Sequence, residues 1–132
     1  MLLKNAQIAS PMAVEAINIL AQAKIPARAG FVLAQNLSLI TAVADLYEKS
    51  RVKLVEAHAT RDADGKIIET MVDGKPQVSI DPARGAEFNK EFDELLNVDT
   101  ELAIKKIKLS DIGAVEISTG HLSQILWLID AE

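Results

Sequence analysis

The chain has 132 residues, a formal net charge of -5 and no cysteine, with 49 % hydrophobic but only 4 % aromatic residues. That length fits one domain spanning 1–132, and the missing cysteines exclude disulfides and thiolate metal sites. The acidic balance repels phosphate backbones, and the few aromatics remove the stacking platforms of single-strand binders, so no nucleic acid partner is expected. Met1-Leu2-Leu3-Lys4-Asn5-Ala6 shows no secretory pattern, and no run reaches ~18 uninterrupted apolar residues. The expected location is therefore cytoplasmic, with no membrane partner.

In chain order, Asn5 or Ser10 can cap a first helix, with Pro11 suited to its first turn. From Met12 to Ala23 the only polar residues, Glu15, Asn18 and Gln22, fall on one narrow stripe, so the rest of that helix asks to be covered. Pro26 opens a second helix predicted over Ala27 to His58, roughly 48 Å long. On it Leu33, Leu37, Ile40, Ala44 and Tyr47 alternate steps of four and three like a coiled-coil seam, flanked by Val32, Leu39, Val43 and Leu46. Glu48 to Lys53 is charged and expected to be solvated.

The periodicity stops at Arg61-Asp62-Ala63-Asp64-Gly65, and Asp73-Gly74 then predicts a type I′ hairpin. A two-residue loop opposes Val72 to Lys75 and Met71 to Pro76, and places Ile67, Met71, Pro76, Val78 and Ile80 on one face. Asp81-Pro82 reads as the start of a short helix carrying Phe88, Phe92, Leu95 and Leu96, ended by Asn97. Val98 to Ile104 alternates as a strand joining the hairpin. Ile107 and Leu109 lie on the opposite parity, which calls for a bulge or a change of packed face near Lys105-Lys106. Ser118 can cap a last helix bearing Leu122, Ile125, Leu126 and Ile129. The expected fold class is α+β: an N-terminal helical hairpin with one long helix, a β-hairpin plus a third strand, and two shorter helices.

Chemistry-bearing patterns are sparse. Aligned as a calcium loop on Gly65, Asp62-Ala63-Asp64-Gly65 places Thr60 at position one and Met71 at position twelve, so the bidentate carboxylate is missing and a solvated turn is the better reading. His121 has no histidine or acid at i+3 or i+4, and the acid four residues after His58, Asp62, falls in the turn-rich cluster beyond the helix, so a structural role is expected for both, with His121 as an exposed first-turn residue. Glu91 and Glu94 read as a solvated helix face. No glycine pattern makes a phosphate cradle, and no serine sits in a nucleophile elbow. No catalytic residue, cofactor or metal ligand is expected.

The layout resembles a group of small proteins of unknown function encoded by phages and prophages, often near morphogenesis genes. The likeness rests on Ile25-Pro26-Ala27, on Tyr47-Glu48-Lys49-Ser50-Arg51 followed by Leu54, on Asp62-Ala63-Asp64-Gly65, on Phe88 to Leu96, and on Leu109-Ser110-Asp111. It implies a non-enzymatic accessory protein in a bacterial host cytoplasm that acts by protein–protein binding, such as an assembly factor. An inhibitor of a host defence protein and a small enzyme of unrecognised type are the alternatives. The residues themselves add one expectation. A helix of ~48 Å exceeds the ~26 Å width of a compact domain of this size, so the seam Leu33, Leu37, Ile40, Ala44 and Tyr47 is the candidate interaction surface of a homo-oligomer, a dimer first.

Overall fold

Asn5 and Ser10 compete as helix caps; a helix starts at each place, but Asn5 is the first residue of its helix, capped by Lys4, and Ser10 occupies the cap position without a side-chain cap bond. In the computed structural model, which describes residues 1–131, α1 (Asn5–Ala9) and α2 (Pro11–Gln22) follow each other with Ser10 between them and Pro11 in the first turn. Next comes α3 (Ala27–Ala57), close to the predicted span. Five helices and three two-stranded sheets among the described residues make the α+β fold read from the spacing. The chain forms two compact units, Met1–Asp45 with Asp99–Glu132, and Leu46–Val98.

In the first unit, α2 buries Ala13, Ala16, Ile17 and Leu20, a stripe at i, i+3, i+4 and i+7. The covered face is narrower than the composition suggests, for Met12 and Val14 stay more than 40 % exposed. Leu33 and Ile40 of α3 join that core, together with Leu3, Ile8, Ile112, Ile125 and Leu128. An 18-residue window of α3 averages a hydropathy of 1.4, and 22 % of it is buried, so by length and composition this helix could cross a membrane, as core helices also could. Counting only uninterrupted apolar residues had hidden that property.

β1 (Leu2–Lys4) pairs antiparallel with β4 (Asp99–Glu101), Leu3 opposite Thr100. The third strand is therefore present, but its partner is the N-terminal strand and not the hairpin. Alternation of side chains predicts a strand without naming its neighbour. Beyond it, the side chain of the buried Asn36 grips the backbone of Lys105 from both sides, donating to its carbonyl at 2.7 Å and accepting from its N–H at 3.0 Å. The clasp lies where a bulge or change of packed face was expected: the paired strand has ended at Glu101, and of the two opposite-parity residues Ile107 is buried while Leu109 is exposed.

The last helix is shorter than its apolar pattern implies. Ser118 does cap it, accepting from the His121 N–H, yet α5 ends at Ser123 (Thr119–Ser123). The chain then turns through Leu126–Leu128 into β6 (Ile129–Asp130), which pairs in parallel with β5 (Ile107–Lys108). Ile125, Leu128 and Ile129 are buried while Leu126 is 57 % exposed. Pairing Ile129 with Ile107 satisfies its backbone outside the helix and decides the matter.

In the second unit, β2 (Glu69–Val72) and β3 (Lys75–Val78) form the hairpin in the predicted register, Val72 opposite Lys75 and Met71 opposite Pro76. Asp73 has φ 51° and Gly74 φ 77°, the pair of positive angles a type I′ turn requires. Thr60 N–H donates to the Ser79 carbonyl and accepts at its own carbonyl from Ile68 N–H, so the segment after α3 lies between the two hairpin arms. Asp62 Oδ1 accepts from the N–H groups of Asp64 and Lys66, so its carboxylate is spent on the turn. Asp81 caps a short 3-10 turn, Pro82–Arg84, which leads into α4 (Gly85–Leu96). Gly74→Val forces a β-branched residue to positive φ and should cost the hairpin about 1–2 kcal/mol. Hydrogen exchange at Thr70 and Gln77 would read this, and unchanged protection there would count against the turn assignment.

Candidate functional site

Of the seam read from the sequence, Leu33 and Ile40 are buried inside the chain, while Leu37, Ala44 and Tyr47 are half-buried. Leu33 is 3 % and Ile40 7 % exposed. Leu33 and Leu37 face Leu20 and Ile25 across a cleft of about 240 Å³. Leu37, Ile40 and Ala44 face Ile8, Val14 and Ile17 across one of about 150 Å³. Part of the apolar stripe of α3 is thus turned toward α1 and α2 of the same chain. Tyr47 remains half-buried, and burial raises its hydroxyl above the ordinary value, opposed by Arg51 and reinforced by Glu48.

The charged stretch after it behaves as expected. Arg51 donates to both carboxylate oxygens of Glu48, at 2.9 and 2.6 Å. Chiefly through that hydrogen bond, the Glu48 carboxyl is held below its usual value. A depressed carboxylate stabilises above its unfolded value and loses that help as pH falls through the folded one. With Glu48 more than half exposed, this effect is slight and confined to the acid side.

Open apolar surface lies instead in Leu46–Val98. Among its described residues only His58 and Ala59 are buried. Helix α4 has the sharply amphipathic pattern of Phe88, Phe92, Leu95 and Leu96, yet none of its residues is buried. Val52 and Val55 of α3, Pro76, Val78 and Ile80 of the hairpin, and Phe88 of α4 line an open groove of about 590 Å³. Met71 is 65 % exposed on the same unit, with Ile68 and Val72 also open. Phe88 stacks on Phe92 at 5.7 Å between centroids and meets the His58 ring edge-on at 5.9 Å.

His58 stands where α3 ends, and its setting follows from the orphan carbonyls of a helix C-terminus. The Leu54 carbonyl accepts from His58 Nδ1 at 2.9 Å, and the Val55 carbonyl from the His58 backbone N–H. The Glu56 carbonyl accepts from Arg61 and that of Ala57 from Arg84. A carbonyl can only accept, so Nδ1 donates in this bond and Nε2 is the ring atom left to face α4. Nε2 faces two carboxylates of α4, Glu91 Oε2 at 3.0 Å and Glu87 Oε1 at 3.6 Å. Short as the first distance is, Nε2 is buried without a hydrogen-bond partner, because the oxygen lies outside hydrogen-bonding geometry. The three donor atoms lie within 4.8 Å of one another.

His121 contrasts with it. Its Nδ1 lies 2.6 Å from Ser118 Oγ and its Nε2 2.8 Å from Glu15 Oε2, so both ring nitrogens are satisfied and α5 is tied to α2. It is half-buried, not the exposed first-turn residue expected. Sequence reasoning missed the His58 cluster because it sought ligands one helical turn away. The legible half was Glu87 and Glu91, four apart and therefore on one face of α4. Comparison with protein-family models, with curated proteins and with solved structures finds no match for this chain.

Proposed function

We propose that this is a non-enzymatic binding protein that works through protein–protein contact, and that the groove of Leu46–Val98 is its contact surface, occupied first by a second copy of the chain. The observation that carries this reading is a unit whose apolar helix face and hairpin face stay open, with only His58 and Ala59 buried. Burial of apolar area is the chief source of association free energy, so surface of this kind gains by being covered. A second copy fits because the same unit holds both a groove and protruding apolar side chains, Met71, Ile68 and Val72, the two halves of a self-complementary contact. The accessory role implied by the phage likeness belongs to the same proposal, and neighbouring morphogenesis genes would favour it.

Light scattering at tens of micromolar should give a dimer mass. Val52→Glu sets a carboxylate in the groove at a residue already 39 % exposed, so it should yield a folded monomer. A monomeric unmodified protein, or a dimer indifferent to Val52→Glu, would refute the groove as the self-contact.

A further inference from the structure

The His58 cluster is explained neither by helix capping nor by the groove. Capping accounts for Nδ1 alone; it leaves Nε2 buried and unpartnered, its side chain 3 % exposed, pointing between two carboxylates. A buried polar atom without a hydrogen-bond partner is costly, and natural proteins rarely keep one without a ligand or ordered water. We propose that His58, Glu87 and Glu91 bind a divalent transition-metal cation of the zinc type.

Three features of the site support the assignment. First, the tautomer is right: donation of Nδ1–H to the Leu54 carbonyl is the outer hydrogen bond that orients metal-binding imidazoles and frees Nε2 as the ligand atom. Second, the spacing is right. Bonds of 2.0–2.1 Å at tetrahedral angles place neighbouring ligand atoms about 3.3 Å apart, and the two nitrogen–oxygen distances, 3.0 and 3.6 Å, bracket that value. Third, one side is open. Glu87 and Glu91 are 57 % and 42 % exposed, so an ion can enter and water can fill a fourth position.

Arg84 stands beside the cluster. Its Nε lies 3.8 Å from Glu87 Oε2 while its guanidinium also donates to the Ala57 carbonyl, so it holds the Glu87 oxygen that does not face His58. Imidazole with carboxylates selects zinc-like ions, whereas magnesium and calcium want oxygen alone.

Titration of the full chain with Zn²⁺ alone, followed by calorimetry, should show one equivalent bound with micromolar or tighter affinity. Glu87→Gln and Glu91→Gln change exposed side chains, so both variants should keep their circular dichroism while weakening Zn²⁺ at least about tenfold. His121→Ala should leave the affinity unchanged, since both nitrogens of that ring are engaged elsewhere. A nitrogen NMR spectrum should show the His58 Nε2 resonance, and not Nδ1, displaced by the metal. The proposal fails if Zn²⁺ is not bound up to millimolar concentration, or if Mg²⁺ binds in preference. It fails equally if both glutamine variants bind at full strength, or if Nε2 keeps a proton with Zn²⁺ present.

Discussion

Leu128→Ala should lower the free energy of unfolding by about 3–4 kcal/mol, among the larger effects available to one substitution in this chain. Leu128 is fully buried with Leu3, Leu20 and Ile125 around the same core, and the 3-10 turn that carries it is locked by the parallel pairing of Ile129 with Ile107. A site held on both sides cannot collapse to fill the space, so the cost is transfer plus cavity. Leu126→Ala is the matched control. The same residue type, two positions earlier and 57 % exposed, should change stability by no more than about 0.5 kcal/mol. Had the last helix continued through Ile129, the two leucines would have exchanged importance. Urea unfolding of both variants decides between the arrangements, and a larger loss at Leu126 would favour the continuous helix.

Asn36→Ala comes next, at about 2–3 kcal/mol. Its amide donates to the Lys105 carbonyl and accepts from the Lys105 N–H, so truncation strands two backbone groups at once. Asn36→Leu should be no milder, although leucine suits the apolar stripe of α3, because the lost clasp outweighs the gained area. Asn36→Asp keeps the acceptor but sets a carboxylate against the Lys105 carbonyl, so it should destabilise as well. The accompanying sign is faster hydrogen exchange at the Lys105 amide. A leucine variant as stable as the parent would show that the clasp is ornamental.

These two residues mark how far the sequence could be read. It was enough for elements whose cause is local. Asp73-Gly74 dictated the turn because two consecutive positive φ angles leave few alternatives, and from the turn followed the register down to Met71 opposite Pro76. Pro26, Asp81 and Ser118 marked element starts through their own backbone chemistry, and the apolar period of α3 set its length. The polar stripe Glu15, Asn18 and Gln22 likewise told which side of α2 faces away from the core.

Everything requiring a partner distant in sequence was decided by the tertiary structure. Alternation made Asp99–Glu101 a strand, but pairing with Leu2–Lys4 arises from how the ends of the first unit meet. Apolar spacing allowed a helix through Ile129, and it lost to a backbone pairing with Ile107. The seam of α3 looked like an interface because periodicity shows which residues want cover, not what covers them; α1 and α2 do so for Leu33 and Ile40. Likewise, the residues one turn from His58, whose only acid, Asp62, is spent on its own turn, said nothing of Glu87 and Glu91. They reach it because the Asp81 N–H donates to the His58 carbonyl and starts α4 beside the end of α3. Local propensities act over a few residues, whereas a binding site is the meeting of several segments, and only packing brings those together.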